Sequence, residues 1–275
     1  MFSGRKLKLF LYDIYYFNIF RRYNAHLRAM PSLLIIGAQK AGTTSLFNYL
    51  ISHSKIIRPL KKEIHYLSYY YNKSFLWYKM HFPIITDDSL TLDASTSYII
   101  YPHTAKRASL LIPNAKIIAL LRNPIERAYS HYYHTIKIGK ENNSFEKALE
   151  LESKRDEFIL NNFRMDDDFA YNDMYRHSYC LRGIYVIQLK SWFRFFSKEN
   201  ILILESRSFF NKPHETINKI ADFLKITNDF NFKALTYNKG VSKPPMSKET
   251  YIYLKNLFDP YNKYLFELIG EQFDW

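Results

Sequence analysis

Short, unbroken apolar runs alternate with stretches of helical periodicity along most of this chain. Four runs predict buried strands: 33–37 (LLIIG), 90–94 (LTLDA), 115–121 (AKIIALL) and 200–204 (NILIL). Apolar residues spaced by three and four predict helices over 43–52, 74–82, 103–111, 124–138, 145–161, 179–196, 213–224, 247–258 and 260–269. Pro124, Pro213 and Pro260 each fall where a first helical turn would tolerate a missing N–H. Asp259 suits an N-cap and Gly270 a C-terminal cap. Strands separated by helices imply an α/β fold with a central parallel sheet flanked by helices, three layers in all. The stretch 139–178, polar and mixed, is the least clearly patterned part of the chain. Its acidic run MDDDFAYND reads as a solvated loop, since an oxygen-ligand loop needs carboxylates spaced around a turn.

At 275 residues, one large domain over 31–275 is expected, preceded by a leader over 1–30. The leader is basic at both ends and aromatic at its centre. Asp13 and Asn18 interrupt it, so it falls short of the roughly 20 apolar residues of a membrane span. No small-residue cleavage pattern follows. Two readings of residues 1–22 stand side by side: an interfacial helix in peripheral contact with a membrane surface, or a leader packed on the domain. A cytoplasmic protein, with or without that contact, is expected.

Apolar residues at 47% and aromatics at 18% exclude a disordered chain. The net charge of +13 favours an anionic partner. No nucleic-acid recognition motif accompanies that charge, so nucleic acid is not the expected partner. The single cysteine, Cys180, allows no intramolecular disulfide and reads as a small buried apolar residue.

The segment LLIIGAQKAGTTSL, 33–46, carries the clearest chemistry. A strand runs into a glycine-bounded loop and then a helix, as in phosphate-binding loops. Gly37 and Gly42 have the spacing of G-x-x-x-x-G-K-[ST], but Thr43 stands where the lysine belongs, and the lysine is Lys40 inside the loop. The N–H groups of Gly42, Thr43, Thr44 and Ser45 would face an anion at the helix start. A nucleoside-phosphate kinase would also need a magnesium ligand ending a second apolar strand. AKIIALL ends instead in Arg122, a second anion ligand; Asp93 at the end of LTLDA leaves a metal ligand open.

The segment IIGAQKAGTTSLFNYL resembles the 5′-phosphosulfate loop of sulfotransferases that use 3′-phosphoadenosine 5′-phosphosulfate (PAPS), and KIIALLRNPIERAYSHYYH, 116–134, resembles their 3′-phosphate motif. Weaker likenesses follow in the same order at 61–67, 182–196, 200–224 and 237–247. The chain is most similar to the carbohydrate branch, the heparan-sulfate-sulfotransferase-like and bacterial enzymes. That resemblance implies a P-loop-type fold and PAPS as co-substrate, with no metal. Lys40, Ala41, Gly42, Thr43, Thr44 and Ser45 would hold the phosphosulfate, and Arg122 and Ser130 the 3′-phosphate. Lys239, Gly240, Val241, Ser242 and Lys243 would close over the nucleotide. Lys40 would offset charge on the leaving oxygen, Glu63 of KKEIHYL would act as base, and His65 would orient it or the acceptor. If that segment is extended, Glu63 and His65 point to one side. Lys61, Lys62 and Arg182 would touch an acceptor, a carbohydrate or glycolipid taking the sulfuryl group on a hydroxyl or, less readily, an amine. Carbohydrate-branch members often carry a lysine near Ala94 or Ser95, and this chain has none. His131 and His134 read as packed or surface helix residues. A non-catalytic binder of anionic glycans with the same fold is the remaining alternative.

Overall fold

The structure, a computed structural model, is described for residues 20–85, 87–162, 176–233 and 244–275. The strands are β1 (Leu33–Gly37), β2 (Ile56–Ile57), β3 (Leu90–Ala94), β4 (Lys116–Leu121) and β5 (Ile201–Glu205). The helices are α1 (Arg21–Tyr23), α2 (Thr43–Leu50), α3 (Phe75–Lys79), α4 (Thr104–Leu111), α5 (Pro124–Lys137), α6 (Phe145–Asn162), α7 (Tyr185–Phe195), α8 (Ser206–Asn211), α9 (Pro213–Leu224) and α10 (Lys248–Ile269). The expected late loop 239–243, the acidic run at 165–173 and leader residues 1–19 lie outside the described residues.

The sheet is wholly parallel, in the order β2-β3-β1-β4-β5. Every residue of β1 is buried, as a central strand covered on both faces requires. The chain leaves β1 toward one edge and later crosses to the other, so a switch point lies between β1 and β4. Crevices at such points, beyond the carboxyl ends of the strands, are where α/β folds bind ligands. The register lines those ends up. Ile35 pairs with Ala94 and with Ile118, and Leu121 pairs with Glu205. The phosphate loop, the residues after Ala94, Arg122 and Ser206 therefore emerge at one edge.

Local chemistry sets several boundaries. Asn123 caps α5 by accepting from the N–H groups of Ile125 and Glu126, with Pro124 in the first turn. Ser247 caps α10 through the N–H of Thr250, and Gly270 ends it with a φ of 73°. Three expectations need correction. The helix expected from 179 starts at Tyr185, after a 3-10 turn at Leu181–Gly183. The buried carboxylate of Glu152 accepts from the N–H groups of Tyr179, Cys180 and Leu181, which fixes that segment as a turn. Pro260 does not open a helix but lies inside α10, whose buried Leu254, Phe258 and Leu265 anchor it on both sides of the proline. Strand β2 and helix α8 are too short for their periods to show. Cys180 is half-buried rather than buried.

Candidate active site

The phosphate loop combines a glycine hinge with a cation. Gly42 caps α2 with a φ of 108°, and a Cβ there would come within 2.6 Å of the Phe210 ring, so only glycine fits. Lys40 also has a positive φ, 71°. That strain, on the order of 1–2 kcal/mol for a residue other than glycine, is held by the surroundings. Ala41 N donates to Ala38 O, Ser206 Oγ donates to Ala41 O at 2.6 Å, and Arg122 Nη1 donates to Lys40 O at 3.2 Å. Thr43 and Ser45 are buried at the start of α2, where the first N–H groups have no partner within the helix.

Cations crowd this end of the sheet. Burial first, then Arg122 and Lys137, pulls the Lys40 pKa below the usual lysine value. His134 is lowered by burial and by the same two lysines, and His131 is pushed well below its ordinary value by burial, Arg127 and Arg182. Both histidines are therefore neutral at pH 7, and His131 is a packed residue, as expected from the sequence. A site that repels its own protons is complementary to an anion.

Arg122 follows β4 at this end of the sheet. Ser130 is buried on α5. The guanidinium of Arg122 is already engaged: Nε and Nη2 donate to Glu126 Oε2 at 3.1 and 2.9 Å. Glu126, four residues on, was not anticipated, although an Arg–Glu pair at that spacing on a helix start is a readable signal. A phosphate at Arg122 must compete with it. Both partners are substantially exposed, so the pair is worth little, about 0.2–1 kcal/mol. Arg122, Glu126, Ser206, Arg207, Phe210 and Trp275 line part of a cleft of about 290 Å³.

The acceptor-side segment is not extended. Glu63 and His65 have φ values of 60° and 59°, both left-handed. They nevertheless converge, with His65 Nε2 3.4 Å from Glu63 Oε2. The loop after β3 imposes this geometry. Glu63 N donates to Ala94 O and His65 N to Ser95 Oγ, both at 3.0 Å. Thr96 donates its N–H and its hydroxyl to Glu63 Oε2, at 2.9 and 3.2 Å. Ser97 Oγ lies 2.8 Å from His65 Nδ1. Burial, opposed by Glu63 and reinforced by Lys62, Lys61 and Arg182, lowers the His65 pKa, so His65 is neutral at pH 7.

Beneath them sits Asp93, fully buried. Ser95 Oγ donates to its Oδ1 at 2.7 Å; Tyr78 OH and Tyr98 OH donate to its Oδ2 at 2.9 and 2.6 Å. Burial pushes the Asp93 carboxyl up to about 6. Both its oxygens face protein hydroxyls, so the metal-ligand role left open by the sequence does not suit it. Among the described residues no group of three or more His, Cys, Asp or Glu could hold a metal ion. The hydroxyl-rich run after Asp93 was the available signal for this network.

The other expected acceptor residues divide. Lys62 pairs with Glu63 rather than opening to solvent. Lys61 is exposed, 6.0 Å from the centre of the Trp77 ring. Arg182 is buried in the 3-10 turn, near enough to His65 and His131 to lower both pKa values.

A family model described as the sulfotransferase domain matches residues 30–256. The membrane-associated sulfotransferase kil1 of Dictyostelium discoideum is 28% identical, over 90% of this chain and 67% of its own length. The mouse bifunctional heparan sulfate N-deacetylase/N-sulfotransferase 4 is also 28% identical, over 87% of this chain, but the chain spans only 30% of that protein. The crystal structure of a sulfotransferase from Alicyclobacillus acidocaldarius superposes with a TM-score of 0.73 at 26% identity, covering 89% of this chain and 98% of that one.

Proposed function

The chain belongs to the sulfotransferase domain family and is a sulfotransferase, and we propose that it moves a sulfuryl group from PAPS to a hydroxyl of a carbohydrate or glycolipid acceptor. The observation that carries this reading is the alignment of three strand ends: a cation-bearing phosphate loop after β1, Arg122 after β4, and a clamped carboxylate, Glu63, held by the loop after β3. The residues present fit the donor. The α2 start and Lys40 suit a phosphosulfate, the missing Cβ of Gly42 keeps the loop shape, and Arg122 with buried Ser130 suits a further phosphate.

The chemistry follows from those groups. The acceptor oxygen forms a bond to sulfur as the bond from sulfur to the bridging oxygen breaks, releasing adenosine 3′,5′-bisphosphate. Glu63, with both oxygens held, accepts the acceptor's proton. Lys40 offsets charge on the leaving oxygen, and its lowered pKa suits it to stabilise charge that develops during transfer. His65, bonded to Ser97, lies 3.4 Å from Glu63 Oε2 and orients that carboxylate. The carbohydrate acceptor is supported by the printed name of the heparan sulfate relative. The kinase reading lacks both its requirements, since Thr43 replaces the lysine and Asp93 is spent on hydroxyls.

Transfer of radiolabelled sulfate from PAPS to a panel of glycans and glycolipids, with mass spectrometry of the product, tests the proposal. Labelled product on at least one hydroxyl acceptor is expected. Donor binding without transfer to any member would overturn the carbohydrate or glycolipid acceptor.

A further inference from the structure

Two segments far apart in sequence lie side by side: residues 20–29, through α1, and residues 75–85, through α3. Arg21 donates to the carbonyls of Met80 and Phe82, and Arg28 Nη1 to Phe82 O at 2.8 Å. Ala29 N donates to Pro83 O, and Lys79 Nζ to His26 O at 2.8 Å. These bonds turn the seam inside out relative to an ordinary surface. Arg21 and Arg28 are buried, while Tyr23, Leu27 and Phe20 are 86%, 58% and 52% exposed, and Phe75, Leu76 and Ile84 are exposed beside them. Single exposed apolar residues need no explanation, but six large ones on two adjoining segments do.

The charge on the same segments has one sign. Residues 20–29 and 70–85 contain Arg21, Arg22, Arg28, Lys73 and Lys79, and neither Asp nor Glu. Arg22 and Lys73 are exposed. Glu63 is the single acid between residues 20 and 85. Aromatic and aliphatic side chains bordered by cations, on a short helix and turns rather than in a groove, match the physics of an interfacial anchor: hydrocarbon enters the headgroup boundary while cations meet lipid phosphates.

We propose that this surface docks the protein on an anionic phospholipid bilayer. It adds a folded contact to the leader expected from the sequence, and it stands or falls independently of the reading of the active site. Flotation of the full chain with vesicles of equal parts phosphatidylcholine and phosphatidylglycerol, beside vesicles of phosphatidylcholine alone, tests it. The full chain is expected to float with the anionic vesicles and to be released by salt. The triple variant Leu27→Ser/Leu76→Ser/Ile84→Ser should partition at least about tenfold less. Leu110→Ser, at a 70% exposed position on α4, should float like the parent. Circular dichroism melts check folding. Should the triple variant fail to fold, Arg22→Glu/Lys73→Glu gives the answer, because it keeps the apolar face and should lose the preference for anionic vesicles. The proposal is overturned if the parent does not float, or if folded variants of both kinds float as the parent does. It is also overturned if the triple variant abolishes self-association of the parent without altering flotation, which would assign the surface to a second copy.

Discussion

The glycine-bounded loop after β1, proposed to hold the donor, and the segment 61–68, proposed to face the acceptor, meet at the same sheet edge but are built on opposite principles. Residues 37–45 form one continuous strand–loop–helix unit that carries Lys40. Residues 61–68 have no regular structure, and the carboxylate of Glu63 is held by Thr96, the ring of His65 by Ser97, and their backbone by Ala94 and Ser95, some thirty positions away. The donor loop faces surplus cations; the acceptor side rests on a buried, hydroxyl-bonded aspartate. Both hold residues other than glycine at positive φ. Local sequence can build an anion cradle, because helix starts and glycines are local properties. A carboxylate positioned on an irregular segment needs donors from another part of the fold.

The largest effect expected from this contrast lies in turnover. Glu63→Gln should lower the single-turnover rate by about 10²–10⁴ while donor affinity stays nearly unchanged. Lys40→Ala should lower both, since the same cation meets the bound donor and the leaving oxygen. Loss of donor binding in Glu63→Gln would merge the two loops into one structural unit and break the comparison.

Asp93→Ala tests whether the acceptor side depends on its buried support. Three hydroxyls would lose their acceptor, at about 2–4 kcal/mol of stability in denaturant unfolding. The parent should also show a pH signature. The Asp93 carboxyl binds its proton more tightly in the folded state, at about 6, than in the unfolded chain, at about 3.9. Its contribution to stability is then full below about pH 4 and is lost as pH rises to about 6. Asp93→Asn should remove that slope; a slope that survives would assign the titration elsewhere.

Arg122→Ala should weaken adenosine 3′,5′-bisphosphate binding by about 1.5–3 kcal/mol, with the melting temperature close to the parent's. Calorimetry in the presence of a chelator measures it, and equal affinity of the parent for 5′-AMP would remove the 3′-phosphate from this arginine. The smallest effect sharpens the electrostatics: Glu126→Gln frees the Arg122 fork and should strengthen the same binding by no more than about 1 kcal/mol. Weaker binding in that variant would mean that Glu126 orients the arginine rather than competing for it.

Sequence alone determined the strands at 33–37, 90–94, 115–121 and 200–204 almost to the residue, because parallel strands covered by helices are short, mainly apolar runs. It also placed the glycine-bounded loop with Lys40 between β1 and α2, and Arg122 just after β4. It singled out Glu63 and His65 but left their backbone open; Glu63 N donating to Ala94 O and His65 N donating to Ser95 Oγ accompany a left-handed conformation at both. Ser206 on the loop after β1 and the Asp93 network under Glu63 were settled only in three dimensions. Their partners are brought together by sheet register, which pairs Ile35 with Ala94 and with Ile118, and no period along the chain encodes that pairing.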